Sequence, residues 1–158
     1  MLIVEEGGKS ILMTGDGHAD DILAGLDVNS KTDAEGAIHV DVLKVQHHGS
    51  EHNWHADFGR RVTADHYVFC GNGRHDNPDE RVVDGIIQSR LGSGGGRSRN
   101  PRSDGRFKLW INSSSAITEG DVAHFKKLEK LVDREVRASG GRMQSAFLKS
   151  GSSFAINV

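Results

Sequence analysis

The sequence predicts a layered α/β domain built on a mixed sheet. Short apolar, β-prone runs alternate with stretches whose apolar residues recur at helical spacing. Glycine-rich and polar turns separate nearly all of them, and no repeat or interdomain linker interrupts the order. A chain of 158 residues suits one domain, residues 1–158. Its 35% hydrophobic content sustains a single core, and 20 glycines point to many turns.

The first element is a hairpin in "LIVEEGGKSILMTGD": Leu2 to Val4, a turn at Gly7-Gly8, then Ser10 to Thr14, ending at Gly15-Asp16. "HADDILAGLD" reads as a short helix with acidic residues near its start. "NSKTDAEGA" is a polar loop, and "IHVDVLKV" is the next strand. "NWHADFGRRV" suits a short helix capped by Asn53, and "DHYVFCG" a further strand. In "NPDERVVDGIIQSRL", Pro78 marks a helix start, with Val82, Val83, Ile86 and Ile87 on one face. "LGSGGGRSRNPRSDGR" reads as a mobile, solvated loop whose arginines Arg97, Arg99, Arg102 and Arg106 are the candidates for holding phosphates. "FKLWINSSS" is a strand. "DVAHFKKLEKLVDREVRAS" is the longest helix, with Val122, Phe125, Leu128, Val132 and Val136 on one side. "RMQSAFLKS" and "SSFAINV" read as a closing hairpin.

Bulk properties exclude several roles. A net charge of −2 argues against nucleic-acid binding by bulk electrostatics. One cysteine, Cys70, allows no intrachain disulfide and fits a buried thiol in a reducing compartment. No stretch is apolar enough to span a bilayer and the first residues lack signal-peptide character, so the expected location is cytoplasmic.

The chemistry-bearing signal is "VLKVQHHGSEHN": a strand running into His47 and His48, then Gly49 and Ser50. Strand ends in α/β proteins commonly carry function. His52 and His55 follow closely, among nine histidines in all, and the plainer reading of both is a surface helix. Asp16 and His47, each at a strand end, form a candidate pair of metal ligands, one short of the usual three. His18 lies near Asp16 in sequence, and His75 precedes Asn77-Pro78 at the expected rim. Ser50 beside His48 is not a nucleophile–base pair, because adjacent residues rarely present that geometry.

A strand ending TGD, a later strand ending HHGS, and "GNGRHDNPDERVVDGI" after them together resemble the C-terminal half of metallo-β-lactamase-fold hydrolases. The nearest branch is the hydrolase domain of ComEC-like DNA-uptake proteins and their soluble relatives. The resemblance implies half of an αββα sandwich, a mixed sheet with helices on one face. It implies Asp16 as a carboxylate bridging two divalent metal ions (zinc first, manganese or iron otherwise) and His47 as a histidine ligand. His48 and His75 would then be the substrate-contacting, catalytic side chains, and the reaction hydrolysis of phosphodiester or related ester bonds, nucleic acids included.

The family's histidine- and aspartate-rich HxHxDH-type run precedes its TGD strand, and no histidine lies before Gly15 here. The expectation is therefore an incomplete half-domain, paired with a second copy or with a separately supplied N-terminal half. The alternative is a catalytically inactive association module.

Overall fold

Hydrophobic alternation and turn chemistry together produce a six-stranded mixed sheet in the computed structural model, which describes residues 1–151 and 153–157. Strand β1 (Leu2–Glu6) pairs antiparallel with β2 (Lys9–Met13). The turn between them needs positive φ, 58° at Gly7 and 78° at Gly8, which only glycine adopts without strain. From β2 onward neighbours run parallel: β3 (Ile38–Lys44), β4 (Val62–Phe69), β5 (Phe107–Ile111) and β6 (Met143–Phe147). Strand order in the sheet is chain order.

The parallel connections carry helices α1 (Ala19–Val28), α2 (Ala56–Arg61), α3 (Glu80–Leu91) and α4 (Val122–Ala138). Such crossovers are right-handed, so four taken in one direction along the sheet stack their helices on one face. Leu26, Phe58, Ile87 and Leu128 of these helices join Leu12, Leu43, Tyr67 and Leu109 of the strands in a single core. The opposite face is open. There Leu2 is 57%, Val4 43% and Met13 47% exposed. Pairing sets Ile11 beside Val42 and Val68 beside Trp110, and Phe154 stands edge-on to the Trp110 ring at 5.3 Å.

Near their beginnings β3 and β4 carry a buried polar patch. His39 bridges Thr63 and Asp65 through its two ring nitrogens, at 2.9 and 3.0 Å. Asp41 accepts from the Ser10 backbone N–H at 2.8 Å and from the Lys9 ammonium at 3.3 Å. Burial tends to raise the pKa of both carboxyls. It is outweighed at Asp41 by the Ser10 and Lys9 donors and at Asp65 by His39 and the nearby arginines, so both end below the usual carboxylate value.

Several expected boundaries are corrected. Helix α2 begins at Ala56, not at Asn53, because the His55 ring caps it by accepting from the Phe58 N–H at 3.2 Å. Strand β4 begins three residues earlier than expected, at Val62. Val122 is 43% exposed at the first turn of α4, off the core side. The closing hairpin does not form: β6 adds parallel to β5, and no strand occurs among the described residues of 153–157, with Ser152 and Val158 outside them.

The glycine- and arginine-rich loop is tied to the fold by arginine side chains. Arg90, fully buried, donates Nε–H to Ser103 O at 2.8 Å and Nη2–H to Gly105 O at 3.1 Å, and its Nη1 bonds Ala64 O. Arg102, though exposed, reaches the β3 backbone, donating to His39 O at 3.3 Å and lying 3.7 Å from Asp41.

Candidate functional site

The carboxyl ends of β2, β3 and β4 form one rim, and the loops leaving it carry the candidate side chains. After β2, Thr14 donates its hydroxyl to Lys44 O at 2.6 Å, and the chain turns through Gly15 and Asp16. After β3 the backbone is bent sharply. His47 and His48 have φ of 43° and 59°, and Gly49 follows at 88°. Two successive non-glycine residues in the left-handed region are costly, and such geometry clusters at functional sites.

Packing holds the bend in place. A Cβ on Gly49 would lie 2.6 Å from Pro78 and 2.9 Å from the Phe69 ring. Gly49 O accepts from Asp79 N–H at 3.0 Å, and Asp79 Oδ2 accepts from Glu51 N–H at 2.8 Å. The loop before α3 therefore buttresses the histidine turn.

Asn53 ties the two expected ligand tips together. Its Nδ2 donates to Asp16 O at 3.0 Å and to Gly17 O at 3.4 Å, so its Oδ1 faces the other way, toward His47 Nδ1 at 2.6 Å. Carbonyls only accept, which fixes the amide orientation and requires His47 to donate from Nδ1. In the neutral ring the lone pair then sits on Nε2, as second contacts arrange it in histidine metal ligands. A backbone bond, His47 N–H to Gly15 O at 2.9 Å, joins the same two turns.

His48 is held similarly. Its Nδ1 bonds Cys70 O at the end of β4, and its ring packs over Gly71. A carbonyl partner makes Nδ1 the donor and leaves Nε2 free. His48 and His75 line two adjoining depressions. One of about 620 Å³ also includes His47, His52 and Asp79, and one of about 370 Å³ includes Asn72 and Arg74. Cys70 is half-buried rather than a core thiol, and burial raises its pKa, so it is not a ready thiolate nucleophile.

The remaining candidates fall outside this cluster. His55 caps α2 and meets Asp20 at 3.0 Å, and His18 is the N-terminal flanking residue of α1. Among the described residues no three of His, Cys, Asp and Glu gather as a metal-binding group. What fits metal ligation is partial: His47 with its tautomer set, beside the exposed Asp16 turn. Sequence reasoning missed Asn53, which it assigned to a helix cap, and nothing in the local pattern distinguishes the two uses.

No family model, no curated protein and no solved structure matches the chain. No helix among the described residues is long and apolar enough to cross a membrane.

Proposed function

We propose that the chain supplies part of a composite, metal-dependent hydrolytic site, of the metallo-β-lactamase kind its motifs resemble, acting on phosphodiester or related ester bonds. The observation that carries this reading is the Asn53 bridge, which binds the Asp16 turn to His47 and leaves His47 Nε2 as the free nitrogen. Asp16 and His47 are the ligands contributed here, and a second polypeptide or a second copy contributes the others. When bound, the divalent ions lower the pKa of a water and take up charge on the substrate oxyanion. The residues of this chain orient: His48 and His75 flank the groove beside His47 and hydrogen-bond the substrate, and the Gly49 bend keeps both adjacent histidines at the rim.

The test is calorimetric titration with Zn²⁺ and Mn²⁺, repeated on Asp16→Ala and His47→Ala, with hydrolysis of bis(p-nitrophenyl) phosphate followed in parallel. Metal binding that weakens at least about tenfold in each variant supports the reading, as does phosphodiesterase activity lost with it. Metal binding unchanged in both variants overturns it.

The open sheet face favours a second reading, an association module without catalysis. Self-association that persists in the metal-free protein and in both variants, with no hydrolysis, is the outcome that selects it.

A further inference from the structure

A second concave site lies at the other end of the sheet, where β3 and β4 begin. Arg60 and Arg61 at the end of α2, with Arg97 and Arg99 from the glycine-rich loop, line a cleft of about 270 Å³ together with Glu35 and Asp57. Four guanidiniums thus face two carboxylates. Two further acids, Asp27 and Asp104, hold arginines from outside the lining: Asp27 accepts from Arg61 Nη2 at 2.7 Å and Asp104 from Arg97 Nη2 at 2.6 Å.

These contacts orient the arginines without using up their donors. Arg61 Nε donates to Gly36 O at 2.5 Å, which leaves Nη1 uncommitted among the described residues. Arg60 is pinned to Gly95 O at 2.9 Å and to Asp57 at 2.5 Å, joining α2 to the loop. Arg97 keeps Nε and Nη1 free of hydrogen bonds among the described residues. Arg99, with an 85% exposed side chain, meets Glu35 only at 3.9 Å, a loose pair that a stronger anion displaces. Pre-oriented planar guanidiniums match phosphate oxygens in pairs. The volume falls below the ~300–1,000 Å³ of pockets that enclose a whole drug-sized ligand, so the cleft suits a compact oxyanion.

We propose that this cleft binds a diphosphate group, free or as the tail of a nucleotide, at a place separate from the His47 rim. It uses Arg61, Arg97 and Arg99 as donors, and Arg60 fixes the loop against α2.

Calorimetry of the full chain with inorganic pyrophosphate and with ADP tests this at low and at physiological salt. The expected result is one site, weakened by salt, for which pyrophosphate suffices if the ligand is free diphosphate and ADP binds more tightly if it is a nucleotide. Arg99→Ala removes no hydrogen bond that the fold uses, and it weakens binding by about fivefold to tenfold. Arg97→Ala weakens it similarly, and Glu35→Gln strengthens it about twofold by removing a competing charge. Pyrophosphate binding no tighter than sulfate binding, or binding unchanged by Arg97→Ala and Arg99→Ala, overturns the proposal. The readout is binding rather than hydrolysis, so its failure and that of the rim reading are separately visible.

Discussion

Single residues set the shape of the rim. Gly49 combines a φ of 88° with backbone so close to Pro78 and Phe69 that a methyl group has no room. Gly49→Ala is expected to destabilise the fold by about 2–4 kcal/mol, read as a lower urea midpoint, because strain and overpacking add. The HHGS stretch announced this rim in the sequence: a β-prone run ending in imidazoles, glycine and serine is legible because residue type and position agree. The role of Asn53 was not legible. An asparagine before a helical pattern has the same signature whether it caps or bridges, and its partners Asp16 and Gly17 lie more than thirty residues upstream. Asn53→Leu is expected to free the His47 ring, seen as loss of a defined Nδ1–H resonance, with Asp16→Ala leaving that resonance in place.

Elements were legible where the period was long. The hairpin, α3 and α4 follow their glycine turns and apolar stripes closely, since local pattern and tertiary burial demand the same thing there. The contacts that tie the loop of residues 91–106 to the fold were not legible, because composition does not reveal a buried arginine reaching from a neighbouring helix. Arg90 satisfies carbonyls of Ala64, Ser103 and Gly105 at once. Arg90→Leu removes the guanidinium that serves the buried Ser103 carbonyl and is expected to cost about 3 kcal/mol in urea unfolding. It should also open the loop to proteolysis. The patch at the start of β3 and β4 imposes a pH dependence. Asp41 and Asp65 have folded-state pKa values below the unfolded value of ~3.9, so they contribute stability above about pH 4 that is lost as pH falls through the folded values. Asp41→Asn is expected to flatten that acid limb, measured as urea midpoints between about pH 5 and pH 3.

At the scale of the whole molecule, the sheet has helices on one side and a mixed set of apolar and polar side chains on the other. Alternation within each strand was readable. That helices cover only one face was expected from the family resemblance alone, because in the residues themselves it depends on the handedness of every crossover together. Leu2, Val4 and Met13 are exposed on this face, interleaved with polar neighbours such as Lys44, His66 and Lys108, and exposed apolar side chains of this kind are the candidate association surface. Light scattering at micromolar concentration is expected to find a species larger than the monomer, and Met13→Glu is expected to shift it toward the monomer without lowering the urea midpoint. A strictly monomeric wild-type protein would remove the basis for a composite site made from two copies. The agreement of strand order with chain order has a kinetic side. Each parallel pairing closes only the loop of its own crossover, so the sheet can be opened strand by strand from either flank. Amide protons of β3 and β4, paired on both sides, should exchange with deuterium most slowly, and those of β1 and β6 should be the first to be lost.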